Sequence, residues 1–234
     1  MRTVAVFGEG RDDVAALRVL LRELGFRPEG LRTTTFAPSE GSRQLKFRAG
    51  DTLVLLQGVQ GKSKLAADAL LTIQGGATER PEALVICFDP DGASPADWFR
   101  FFLKEVPGGQ DRLRIDSREV RIIPAPWYRS EAATFASLPD EHNLERILIG
   151  GLLASDEGAR LRGWAEEATS GLMPLVQRHG WKRAFRIWCA ATFPDSEAFV
   201  DRLLQDEATR DACLAALKAT PVWEALQTAL AQTS

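Results

Sequence analysis

Four short apolar runs, separated by turns and by segments of helical periodicity, constrain this chain more than any other feature. They read RTVAVF at 2–7, DTLVLLQ at 51–57, ALVICF at 83–88 and EVRIIP at 119–124. A strand that is apolar on both faces needs cover on both, which hairpins exposed to water do not provide. After the first run, Gly8 and Gly10 make a turn, and Val14, Leu17, Leu20, Leu21 and Leu24 then repeat at helical spacing until Gly25. The second run leads through GVQG into a helix over 62–73, closed by Gly75 and Gly76; the third leads through DPDGASP into a helix over 96–106. The fourth stops at Pro124 and Pro126. Strands alternating with helices in this way predict an α/β fold with a mostly parallel sheet flanked by helices on both faces.

Beyond Trp127 the pattern changes. No further strand run occurs, and helical spacing takes over at Leu144, Ile147 and Leu148 and again at Phe199, Leu203 and Leu204. The chain therefore divides into an α/β part, 1–127, and an α-helical region, 128–234, with the boundary near 127–140. Residues 30–50 form a long connection, and Leu31 to Phe36 are expected to add a strand within it.

At 234 residues, 45% of them hydrophobic, the chain can bury a sizeable core without a disulfide or structural metal. Its net charge is −3, with 18 basic against 17 acidic residues in 1–127 and 11 against 15 in 128–234. The molecule as a whole is thus no polycation, and any nucleic-acid site must be a local patch. Cys87, Cys189 and Cys213 are far apart and form no C-x-x-C pair, which argues against a zinc module and thiol exchange and fits a reducing cytoplasm. No run approaches the roughly 20 apolar residues of a membrane span. The first strand begins at once, with no signal-peptide pattern, so the expectation is a cytoplasmic protein complete from Met1, with no membrane partner.

Ligands of parallel α/β sheets bind beyond the carboxyl ends of the strands. That rule points to the loops at 8–13, 57–63 and 89–95. The first reads Gly8-Glu9-Gly10-Arg11-Asp12-Asp13 and the last begins Asp89-Pro90-Asp91-Gly92. Both lie on one sheet edge, so Glu9, Asp89 and Asp91 can converge. Converging carboxylates repel one another unless a cation neutralises them. Oxygen donors without His or Cys favour Mg²⁺ or Mn²⁺, and such a centre suits phosphoryl chemistry. Asp12 and Asp13 open a helix, where a carboxylate also caps backbone N–H groups, so Asp13 is a candidate for either role.

Glu9-Gly10-x-x-Asp13-Val14 after the first strand, joined to Asp89-x-Asp91 after a later one, resembles the Toprim domain. That family includes bacterial primases, type IA and type II topoisomerases, recombination mediators of the RecR type, 5S ribosomal RNA maturation nucleases and OLD-family nucleases. The resemblance covers about 1–127 and implies a compact α/β domain in which Glu9 acts as general acid or base while Asp89 and Asp91 hold Mg²⁺. Many members carry glycine three residues after the second aspartate, where this chain has Ser94. A topoisomerase needs a tyrosine nucleophile and a large gate, and a primase needs clustered cysteines. Tyr128 is the single tyrosine, and the three cysteines are scattered. What remains is a Mg²⁺-dependent nuclease acting on DNA or RNA, of the OLD or 5S ribosomal RNA maturase kind, or a related domain kept for binding nucleic acid or protein.

Further candidates surround this centre. Gly58-Val59-Gln60-Gly61-Lys62-Ser63 is two residues short of a Walker loop, yet Lys62 at a helix start, like Arg11, could meet a phosphate. Glu145, on the first helix after the sheet, is either a further metal-site carboxylate or the ion-pair partner of Arg129 or Arg146. Arg178, Lys182, Arg183 and Arg186 share one helix face near Trp181 and Trp188, which suits phosphate contact or a solvated surface. His142 and His179 have no ligand-spaced partners. Two other families compete: Phe88-Asp89-Pro90-Asp91-Gly92 also resembles the haloacid dehalogenase motif, and the strand-end acids resemble a receiver domain that lacks its late lysine. The helical region offers a surface for a protein partner.

Overall fold

A computed structural model of the chain describes residues 1–29, 44–59, 61, 64–74, 80–90, 94–106, 109–115, 118–128, 143–153, 155–160, 186–192 and 199–231. Seven strands form one sheet: β1 (Arg2–Gly8), β2 (Arg27–Pro28), β3 (Gln44–Ala49), β4 (Thr52–Gly58), β5 (Ala83–Phe88), β6 (Arg112–Ile115) and β7 (Arg118–Pro126). Their spatial order is β2-β3-β4-β1-β5-β7-β6. The central four, β4, β1, β5 and β7, run parallel, while β2, β3 and β6 pair antiparallel at the two edges.

The labelled helices are α1 (Arg11–Glu23), α2 (Leu65–Gln74), α3 (Pro95–Lys104), α4 (Leu144–Leu153), α5 (Phe199–Leu203), α6 (Glu207–Lys218) and α7 (Pro221–Leu230). Residues 156–160 and 186–192 are also helical. Strand periodicity sorts the core into two layers. Val4, Val6, Val54, Leu56, Val85 and Cys87 pack under α1 and the helices from α4 onward. Ala5, Phe7, Leu53, Leu55, Leu84, Ile86 and Phe88 face α2 and α3 through Leu65, Phe102 and Val106. The fold is therefore α/β with a C-terminal helical region, and that region shares its core with one face of the sheet.

Three differences from the sequence reading have local causes. The long connection contains β3 at Gln44–Ala49, while the strand expected at 31–36 lies outside the described residues. Edge strands β3 and β6 are half-polar, so they lack the continuous apolar signature of β1, β4 and β5. The fourth strand runs through Pro124 and Pro126 to its end at Pro126. The Ile122 N–H donates toward Asp111 on the β6 side and the Trp127 N–H toward Phe88 on the β5 side. Even-numbered nitrogens of β7 thus face β6, whose pairing ends at Arg121. The two prolines fall where no ladder bond is lost.

Candidate functional site

The strand order itself creates a crevice. From β1 the chain moves to one side, through α1 to β4, and then crosses back by α2 to β5 on the other side of β1. Beyond the carboxyl ends of β1 and β5 the connections diverge, which is the switch point where open α/β sheets bind ligands.

Two glycines let the loops close in around it. A Cβ on Gly8 would stand 2.6 Å from the Asp13 Cβ, and one on Gly58 would stand 2.8 Å from Val14 Cγ2. The β1 and β4 loops are then braced together, with Val59 N–H donating to the Gly8 carbonyl at 2.9 Å and Gly61 N–H to the Glu9 carbonyl at 3.0 Å. Gly61 sits at φ +101°, a backbone region that favours glycine. Val59 and Gly61 therefore buttress the backbone of Gly8 and Glu9.

The sequence-predicted acids divide on inspection. Glu9 and Asp89 come together: Asp89 N–H donates to Glu9 Oε1 at 3.0 Å. Asp89 Oδ1 in turn accepts from the Leu144 N–H at 3.0 Å, so the first turn of α4 closes the crevice from the helical side. Asn143 precedes that helix and accepts from the Arg146 N–H through Oδ1 at 2.9 Å, the bond of an N-cap. Asp91 and Lys62 lie outside the described residues, as do Arg129, Arg178, Lys182, Arg183, His142 and His179. Arg11 is the first residue of α1, half-buried at the same sheet edge.

Asp13 takes its capping role. It is buried, with Oδ2 accepting from Gly10 N–H at 3.0 Å and Oδ1 from Trp127 Nε1 at 2.6 Å. These bonds give its carboxylate a structural task that needs no cation. Burial nevertheless pushes its pKa up to about 7; the Trp127 hydrogen bond opposes the rise and the neighbouring Glu9 charge adds to it. Trp127, which marks only a boundary in the sequence, is the fully buried pin between β7 and α1. A tryptophan at a buried strand end needs a partner for its N–H, and that need was the available signal.

Glu145 is held by an arginine that the sequence did not single out as its partner, Arg186. Its side chain is 6% exposed, and Oε1 accepts from Arg186 Nη2 at 3.0 Å. Ser94, standing where the resembled motif often has glycine, caps α3 by accepting from the Asp97 N–H at 3.1 Å. The three cysteines are buried free thiols, and burial raises the pKa of each, which disfavours the nucleophilic thiolate. Among the described residues, no three His, Cys, Asp or Glu side chains gather to hold a metal ion, and no helix is long and apolar enough to cross a membrane. Glu9 and Asp89 are the part of the expected donor set that the described residues bring together.

These features define an α/β protein with an acidic crevice at its switch point. No family model matches the chain, and no curated protein matches it. Among solved structures it is similar to the crystal structure of a hypothetical protein from Pyrococcus horikoshii OT3, at 18% identity and a TM-score of 0.61. The likeness spans 98% of this chain and 100% of that one, so it includes the sheet and the C-terminal helices together. At that identity it shows the fold alone.

Proposed function

We propose that this protein is a Toprim-type, Mg²⁺-dependent nuclease that cleaves phosphodiester bonds of DNA or RNA in the cytoplasm. The supporting observation is the bond between Glu9 Oε1 and Asp89 N–H, which joins two acids eighty residues apart at the switch point. Carboxylate oxygens fit a hard divalent cation, and Asp91, two residues on in the same loop, is the proposed third ligand. When bound, such a cation would neutralise phosphate charge and make water a better nucleophile.

The residues of the chain supply the rest. Glu9 takes the proton of the attacking water or returns one to the departing oxygen. Asp89 is held at the α4 N-terminus by the Leu144 N–H, where the helix dipole favours negative charge. Lys62 and Arg11 are the proposed phosphate contacts at the helix starts. Three buried free thiols are consistent with a reducing compartment.

One fact favours a binding module instead: Glu9 Oε1 and Asp89 Oδ1 already accept backbone N–H groups. A cleavage assay separates the readings. Wild-type protein is expected to cut single- or double-stranded nucleic acid with Mg²⁺ or Mn²⁺ and to stop with EDTA, while Glu9→Gln and Asp89→Asn lower kcat by about 10²–10⁴. Wild-type protein that binds nucleic acid without cutting it would establish the module, and a protein partner of the helical region would then be sought. Activity unchanged in both variants would remove the site.

A further inference from the structure

The ion pair at the start of α4 lies beside this chemistry and has no part in it so far. Leu144, whose N–H holds Asp89, is followed directly by Glu145. Consecutive Cα atoms are about 3.8 Å apart, so the Glu145 backbone stands beside the residue that holds Asp89. A carboxylate as buried as Glu145 is costly unless a charge compensates it. Its compensation comes from Arg186, 41 residues later, in the helical segment 186–192.

The two partners differ in exposure. Glu145 is 6% exposed and Arg186 52%. The guanidinium is thus held by Glu145, while about half of the Arg186 side chain is open to solvent. Guanidinium is a planar fork of five N–H donors matched to phosphate, and one held in place has already lost the rotamer freedom that binding would otherwise cost. The need for such a cation is local: Glu9 and Asp89 carry carboxylates at this end of the sheet, and a polyanion entering there meets their repulsion.

We infer that Arg186 is a substrate-binding residue, contacting a backbone phosphate adjacent to the one placed at Glu9 and Asp89, and that Glu145 is the positioning residue that aims it. The inference rests on the nuclease reading of the crevice and names how the same site grips its substrate. The bond is a charge-assisted contact between guanidinium N–H donors and phosphate oxygen, with no covalent step.

The test uses full-length protein, a labelled oligonucleotide, and both affinity and cleavage as readouts. Arg186→Ala is expected to raise KM and Kd about tenfold, to leave kcat within about threefold, and to reduce the slope of log affinity against log salt by about one. Because that change removes the counter-charge that a buried carboxylate is bonded to, two companions keep the test decisive. Arg186→Lys retains the charge and loses the fork, so its salt slope stays while affinity falls about threefold or more. Glu145→Gln with Arg186→Gln removes both charges together and is expected to match Arg186→Ala. Glu145→Gln alone raises KM, leaves kcat, and retains the salt slope, which a merely structural role would not produce.

If wild-type protein cleaves and these variants keep its KM, Kd and salt slope, the Arg186 inference falls and the nuclease reading stands. If wild-type protein binds through Arg186 but never cleaves, the nuclease reading falls and the phosphate contact stands. Wild-type protein that neither binds nor cleaves overturns both.

Discussion

The two layers that cover the sheet are built on different terms. Against α2 and α3 the contact is apolar and aromatic, with Phe88 stacked on Trp98 at 3.8 Å and Trp98 on Phe102 at 5.9 Å. Against α1 and α4 the core is equally apolar, but it also contains the two buried charged residues found among those described, Asp13 and Glu145, with Asn143 beside them. Burying a charge costs several kcal/mol unless hydrogen bonds or a counter-charge offset it. One layer gains stability from burial alone. The other accepts a polar cost, and it does so at the carboxyl end of β1 and β5, where a ligand can use it.

The largest effect that could break this contrast lies in the apolar layer. Phe102→Ala should cost about 3–5 kcal/mol in a denaturant titration, and the folded fraction should keep its kcat. A loss of kcat without a loss of stability would show that the α2/α3 layer also serves the site.

Next comes the pH dependence of the polar layer. Asp13 has a pKa raised to about 7 in the folded protein, against an ordinary 3.8. The folded state therefore holds this proton more tightly than the unfolded chain does. Its contribution to stability is fully present below about pH 4 and is lost as pH rises through about 7, with a slope of at most about 1.4 kcal/mol per pH unit. In metal-free buffer, Asp13→Asn should remove that fall, flattening the stability profile between pH 4 and 7. Parallel profiles for the two proteins would mean that folding does not raise the Asp13 pKa.

Smaller again is the effect of closing the loop contact. Gly8→Ala places a methyl group 2.6 Å from the Asp13 Cβ and should cost about 1–3 kcal/mol by overpacking. Gly151→Ala, whose Cβ would meet the Ala212 carbonyl and the Ala216 Cβ at 2.8 Å where α4 packs on α6, should cost a similar amount. Only the Gly8 change is expected to alter cleavage, because only Gly8 adjoins Glu9.

Much of the architecture was legible because β1, β4 and β5 are apolar on both faces, and Gly8, Gly10 and Gly25 punctuate the first strand-helix unit. The edge strands were not, since β3 and β6 bury one side at most and read as ordinary polar loop. The proline rule ended β7 early because the register that spares Pro124 and Pro126 is a tertiary fact. At the site, strand-end placement alone brought Glu9 to Asp89. The bond from Leu144 N–H to Asp89 is a backbone contact and leaves no residue signature. Asn143 before an apolar helix was a readable cap, whereas the pairing of Glu145 with Arg186 depends on how the helical region folds back over the sheet.

Binding of Mn²⁺, followed by electron paramagnetic resonance, tests the central claim most directly. The account predicts a saturable site in the wild-type protein that is lost in the Glu9→Gln/Asp89→Asn double variant while the fold, read by circular dichroism, is retained. Equal Mn²⁺ binding by the two proteins, or none by either, would contradict it.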